Sequence, residues 1–185
     1  RPVNDVTSEM RGHAKTVNFG IVYGISAFGL SERLNIPRRE AADIINAYFS
    51  QYPGVKQYME KTIAFAREHG YVETIMGRRR HLRDINSRNA VVRGFAERNA
   101  INAPIQGSSA DMIKIAMIRI YNEFNRLNLK SKMILQVHDE LVFDVHRQEV
   151  EIVKPVIRET MVNAIPLSVP VEVDMNVGEN WLEAH

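Results

Sequence analysis

Arg11, Lys15, Phe19 and Tyr23, spaced four apart, set two cations and then two aromatics along a short stretch of chain. On a helix each is turned only about 40° from the one before, so they fan along one broad face. Arg11 and Lys15 fall in the first half of that helix, where the positive end of the macrodipole disfavours each cation by roughly 0.3–1 kcal/mol. Helix stability does not place them there. A bound anion would, because dipole and side chains then attract the same charge, Arg through a planar fork and Lys as a point charge. Phe19 and Tyr23 can stack on a sugar or base. Gly20 and Gly24 leave room for close approach, an interior glycine costing about 1 kcal/mol relative to alanine. From the residues alone a second reading stays open, in which the cations are a solvated face and both aromatics turn into the core.

Three further groups carry chemistry. His138-Asp139-Glu140 lies between two strand-like runs, so its side chains project from a tight connection, and its oxygens suit Mg²⁺, which takes one or two protein carboxylates alongside substrate phosphates. Zinc is disfavoured, with no cysteine and no second histidine at ligand spacing. Arg98, Asn102 and Gln106 repeat the four-residue spacing and offer donors and acceptors, and Gly77-Arg78-Arg79-Arg80 is a compact basic run suited to phosphate. Taken singly, the hairpin is more often a surface turn, the polar triad a solvated face, and the arginines a common surface cluster.

The elements that must hold these groups can be read from periodicity. A helix is expected from Thr7 or Ser8 to Tyr23, with Ser8 as N-cap, and Ile25–Gly29 interrupts it. Helices follow over 37–52 and 55–69, the second ended by Gly70, and Tyr71–Met76 has strand character. A long helical region over 90–128 is expected to break or kink near Pro104 and Gly107. Strands are expected over 133–137 and 141–145, a helix over 148–163, and a final strand over 169–177, where Val169, Val171, Val173, Met175 and Val177 alternate with mostly polar residues. Trp181 reads as a packing residue. The order gives an α+β fold, helical first and then an antiparallel sheet backed by helices, with a boundary near residue 95.

Composition sets the outer bounds. With 185 residues, 45% hydrophobic and 25% charged, the chain has material for a core, and its apolar runs are far short of the roughly 18–20 residues that cross a bilayer. No membrane partner is expected, and a cytoplasmic setting is, consistent with the absence of cysteine. Residues 1–100 carry 16 Lys plus Arg against 10 Asp plus Glu, and residues 101–185 carry 8 against 12, so a half of +6 precedes a half of −4. That asymmetry suits a polyanion-binding surface beside a carboxylate site, though chance asymmetry accounts for it equally. Arg1 in place of an initiator Met suggests a piece of a longer chain.

Arg11-Gly-His-Ala-Lys15-Thr-Val-Asn-Phe19-Gly20-Ile-Val-Tyr23-Gly24 resembles motif B of family A DNA polymerases, of the bacterial DNA polymerase I type. The resemblance implies that Arg11 and Lys15 hold a deoxynucleoside triphosphate, that Phe19 packs on its sugar and base, and that Tyr23 lies at the templating position, all on a fingers helix. Gln136-Val-His138-Asp139-Glu140-Leu-Val-Phe resembles motif C, the palm hairpin, implying that Asp139 is a metal ligand, with Glu140 adjacent and His138 near the primer backbone. Asp139, Glu140 and Lys15 would be the catalytic groups. Ala96-Glu-Arg98-Asn-Ala-Ile-Asn102-Ala-Pro-Ile-Gln106-Gly is similar to the palm helix that lines the DNA minor groove. The Gly-Arg-Arg stretch, Arg78 to Arg80 here, implies contacts with the template backbone. Residues 1–95 would be the fingers and 96–185 the C-terminal part of the palm, nucleoid-associated in the cell, with Ala184-His185 looking like a family C-terminus.

The implied activity is template-directed transfer of a deoxynucleotide to a primer 3′ hydroxyl with release of pyrophosphate, using two Mg²⁺ ions, primer-template DNA and dNTP substrates. Motif A, an Asp-containing strand followed by a Glu, precedes motif B in the family, and nothing before Arg11 resembles it. Thumb segments are also missing. The implied partner is therefore the N-terminal part of the same polymerase, and the 185 residues are expected to be inactive alone. The other readings are a non-catalytic nucleic-acid-binding module and a structural fragment with an open sheet edge. Phe at position 19 is similar to bacterial repair enzymes that disfavour dideoxynucleotides, so Phe19→Tyr in the full enzyme should raise chain-terminator incorporation. Unchanged selectivity in a termination assay would refute that expectation.

Overall fold

The computed structural model describes residues 5–184. The α+β class is observed: helices dominate, with two separate two-stranded antiparallel sheets. The chain forms two compact units, one ending at Gly107 and one beginning at Ser108. Arg1 and His185, read from the sequence as interior and terminal residues of a larger protein, lie outside the described residues.

The first unit opens with α1 (Ser8–Val22), α2 (Ala27–Leu34), α3 (Arg38–Gln51) and α4 (Pro53–His69). Thr7, not Ser8, caps α1, its hydroxyl accepting from the Met10 N–H at 3.2 Å. The stretch read as an interruption contains the start of α2, whose Ser26 side chain accepts from the Gly29 N–H at 3.1 Å and whose C-terminus closes on left-handed Asn35. Ser26 satisfies one of the open N–H groups that begin any helix, which is why a Gly-containing segment still coils. After α4, β1 (Tyr71–Glu73) and β2 (Arg79–His81) pair as a hairpin in the register Tyr71↔His81, Val72↔Arg80 and Glu73↔Arg79. Strand character thus ends at Glu73, because Thr74 to Gly77 form the turn, with Gly77 at φ +77.

Helix α5 (Ala90–Arg126) runs 37 residues through Pro104, so of the break or kink expected there the break does not occur. Proline removes one donor at a cost of about 3 kcal/mol or more. Opposing that cost, the turns around Pro104 bury Ala96, Ala100 and Ala103 in a core with Ala66, Val72, Leu82 and Ile85. Their small side chains let α4 and the hairpin come close, and the Tyr58 hydroxyl adds a hydrogen bond of 2.9 Å to the Ile101 carbonyl. Burial pushes the Tyr58 pKa up, opposed by a hydrogen bond with Thr62.

In the second unit β3 (Lys132–Val137) and β4 (Glu140–Asp144) pair antiparallel, with a bulge between Met133 and Leu135. Leu141 and Phe143 pack on Ile120 and Phe124 of α5 and on Val153 and Ile157 of α6 (Val150–Val162). The expected strand over 169–177 does not form. Val171, Val173 and Met175 are half-buried between exposed Glu172, Asp174 and Asn176, but among the described residues β3 and β4 pair only with each other. Alternation selects a face; a strand also needs a neighbour to bond. Trp181 opens the short α7 (Trp181–Ala184) and is 45% exposed, so it is not the core residue expected.

The base of the β3–β4 hairpin is tied by Glu149, the residue before α6. Its carboxylate accepts from the Lys130 N–H at 2.9 Å, the Ser131 N–H at 2.9 Å and the Ser131 hydroxyl at 2.6 Å, while Ser131 Oγ accepts from the His146 N–H at 3.0 Å. The Lys130 amide foremost, then the Ser131 hydroxyl, lower the Glu149 pKa from 4.5 to about 2. A depressed carboxylate contributes stability that is present in full above about pH 4.5 and lost as pH falls toward about 2. Glu149→Gln should lower stability at neutral pH and flatten the acid-side loss across that window. Denaturant unfolding measured from pH 2 to 5 checks this, and identical slopes for the two proteins would refute it.

Candidate nucleic-acid and nucleotide interface

On α1 both cations and both aromatics face solvent. Arg11 and Lys15 are exposed, Phe19 is 49% and Tyr23 41% exposed, and the two rings lie 6.4 Å apart at 17°. The reading with the aromatics in the core is thereby excluded. The buried face of α1 is Gly20 and Ile21. A Cβ on Gly20 would meet Ile25 Cγ2 at 3.2 Å, so the room at Gly20 is taken by the chain's own Ile25 rather than reserved for a ligand. Asn18 accepts from the Tyr48 hydroxyl at 2.9 Å, which fixes α1 to α3. The pairing is not legible from sequence, because a polar pair 30 residues apart leaves no periodic trace.

Gly24 ends α1 at φ +79, and a Cβ there would lie 3.3 Å from Arg98 Cγ and 3.5 Å from Ile101 Cδ1. The end of motif B therefore rests on α5 beside Arg98, a contact between two of the expected site segments. Arg98 is exposed, with its guanidinium carbon 5.9 Å from the Phe95 ring centroid. Gln106 is exposed as well, whereas Asn102 is half-buried and its Oδ1 has no hydrogen-bond donor among the described residues. An unmet buried acceptor costs about 1–3 kcal/mol.

The arginines of Gly77-Arg78-Arg79-Arg80 are exposed, but each already has a partner in its own unit. Arg78 donates to the Gly107 carbonyl at 3.1 Å, Arg79 to Glu73 at 2.8 Å while lying 4.4 Å from the Tyr71 ring centroid, and Arg80 to Asn99 at 3.3 Å.

In the second unit the loop between β3 and β4 is only His138-Asp139, because Glu140 is the first residue of β4 and pairs with Val137. This shortens the expected three-residue connection. His138 adopts φ +54, a left-handed conformation costing a non-glycine residue about 1 kcal/mol or more. Gln136 Nε2 donates to its carbonyl at 3.0 Å and braces the turn. Asp139 and Glu140 are exposed, and no cluster of three or more His, Cys, Asp or Glu able to hold a metal occurs among the described residues. An exposed single carboxylate fits Mg²⁺ only as one of several oxygen donors, the rest coming from substrate, water and other protein groups. No helix among the described residues is long and apolar enough to cross a membrane.

The family model for DNA polymerase family A matches residues 1–183. The chain belongs to DNA polymerase family A. Among family A relatives it is similar to DNA polymerase I of Caldicellulosiruptor bescii, 52% identical over 98% of the chain and 21% of that protein. It is also similar to DNA polymerase I of Lactococcus lactis subsp. cremoris, 53% identical over 97% of the chain and 20% of that protein. The chain thus spans about a fifth of the length of these family A proteins. A solved structure, the POL domain of Pol1 from M. smegmatis in complex with DNA primer-template and dNTP, aligns with a TM-score of 0.95 and 44% identity, covering 99% of this chain and 32% of that one.

Gly24→Ala should place a side chain in a left-handed residue against Arg98 and lower stability by about 1 kcal/mol or more. Thermal unfolding checks this, and an unchanged midpoint would count against the α1–α5 contact.

Proposed function

We propose that this chain supplies the nucleotide grip and one metal-binding carboxylate of a template-directed DNA polymerase, with residues 1–95 acting as fingers and 96–185 as the C-terminal part of the palm. One observation carries the reading: in a family A chain, Arg11, Lys15, Phe19 and Tyr23 all face outward on α1, which leaves them available to a ligand. Arg11 and Lys15 bind the triphosphate, and Lys15 sets positive charge against the charge that develops on departing pyrophosphate. Phe19 packs on the incoming sugar and base, and Tyr23 stands at the templating position. Arg98, Asn102 and Gln106 contact the minor groove, where acceptors vary little among base pairs and pairing is checked without reading sequence. His138 lies by the primer backbone, and Arg78, Arg79 and Arg80 provide the basic surface nearest the template backbone. Primer-template DNA and dNTPs are the partners, as in the M. smegmatis complex.

Asp139, at the tip of the hairpin, would hold Mg²⁺, with Glu140 beside it and a second carboxylate from a motif A outside these residues. Bound there, the ions supply neutralisation of phosphate charge and a more acidic primer hydroxyl. The strained His138 and the brace from Gln136 support this role, because they fix the backbone of the turn that carries the exposed Asp139. Without motif A, the 185 residues do not polymerise.

Asp139→Ala in the full-length polymerase should abolish Mg²⁺-dependent primer extension while DNA binding stays measurable by gel shift or anisotropy. The isolated 185-residue chain should give no templated incorporation. Near-normal extension by the variant, or synthesis by the isolated chain, would overturn these assignments. Salt-sensitive DNA affinity with no extension by the intact wild type would instead favour a binding module.

A further inference from the structure

The three arginines of the β1–β2 hairpin were expected to face DNA, yet two of them reach α5 on either side of Asn102 and Gln106. Arg80 Nη2 donates to Asn99 Oδ1 at 3.3 Å, three residues before Asn102. Arg78 Nη2 donates to the Gly107 carbonyl at 3.1 Å, one residue after Gln106. Between these two points α5 carries Pro104, which cannot donate to the helix ladder, so this turn has one restraint fewer than an ordinary helical turn.

The turn that carries Arg78 is itself tightly held. The Gly77 N–H donates to the Thr74 carbonyl at 2.9 Å, the Thr74 N–H donates to the Arg78 carbonyl at 2.9 Å, and the Arg78 N–H donates to Thr74 Oγ1 at 3.2 Å. With its hydroxyl engaged, Thr74 presents its methyl to α5. A Cβ on Gly107 would lie 2.5 Å from Thr74 Cγ2, a clash relieved by displacing helix or hairpin or by rotating Thr74 out of its bond with the Arg78 N–H. Gly107 is therefore glycine to admit Thr74, a close approach that the sequence shows only as a helix breaker in mid-helix.

We infer that the β1–β2 hairpin is a positioning device for the Asn102–Gln106 face of α5, with Arg78 acting through the Gly107 carbonyl and Arg80 through Asn99. It substitutes for the restraint that Pro104 removes and sets where the two amide side chains stand against the terminal base pair. The inference rests on the polymerase reading and changes the principal task of Arg78 from phosphate contact to helix placement.

The test uses the full-length polymerase with Gly107→Ala, Thr74→Ser, the double variant and Arg78→Met. No extension by the wild type would overturn the polymerase reading itself. With an active wild type, Gly107→Ala should lower kcat/KM for primer extension about tenfold. Thr74→Ser, which removes Cγ2 and keeps Oγ1, should be close to wild type, and the double variant should regain most of the loss, as expected of residues in contact. Should Gly107→Ala fail to accumulate as folded protein, recovery of folded enzyme in the double variant is the same test, and no recovery overturns the inference. Arg78→Met should lower kcat and weaken discrimination against a mismatched primer end, leaving the slope of log DNA affinity against log salt unchanged. A slope smaller by about one with kcat intact would mark Arg78 as a phosphate contact instead, and losses that merely add in the double variant would remove the proposed packing.

Discussion

One helix has to serve two cores with opposite packing requirements. In its first half α5 buries Ala96, Ala100 and Ala103, small residues that bring α4 and the β1–β2 hairpin close to its backbone. In its second half it buries Ile120 and Phe124, which fill the space beneath a sheet and another helix. Close approach lets backbone groups serve as anchors: Tyr58 bonds the Ile101 carbonyl and Arg78 bonds that of Gly107. Burial of larger side chains relies on area removed from water instead, at about 25 cal/mol per Å².

The chemistry was legible wherever residue type and spacing express it directly. The outward face of α1 could be drawn from four residues, and the carboxylate hairpin from three. What remained hidden depended on groups far apart in sequence. Gly20 was read as space for a ligand, and only the fold reveals Ile25 in that space. Helix α2 was missed because a side-chain cap outweighs a glycine at its start, and a break or kink was read at Pro104 because local propensity does not register the burial of Ala100 and Ala103 around it. Val169 to Val177 shows the complementary failure, with a face correctly alternating and no neighbouring strand to bond.

Two features run against local stability, and both lie where chemistry is proposed. Arg11 and Lys15 oppose the α1 dipole, and His138 sits in a left-handed turn without being glycine. Each departs from what the local backbone prefers, whereas the other left-handed positions, Gly24, Asn35, Gly70, Gly77 and Asn128, are all glycine or asparagine. The clamp formed by Glu149 and Ser131 at the base of the hairpin offers a restraint against which such a turn can be held.

The bulge in β3 gives that hairpin a parity. Met133 pairs with Phe143 and Leu135 with Val142, so Ile134 is an extra residue, and both Ile134 and Leu135 are exposed. Counting from the anchored Ser131 toward the tip, every side chain beyond Ile134 lies on the face opposite to the one an even strand would give it. Loss of the extra residue at the bulge would restore one-to-one pairing with β4, whereas loss or gain of a residue between the bulge and the tip would invert the faces beyond it. Within this strand, the stretch between Met133 and Leu135 is where the ladder already accommodates an odd count.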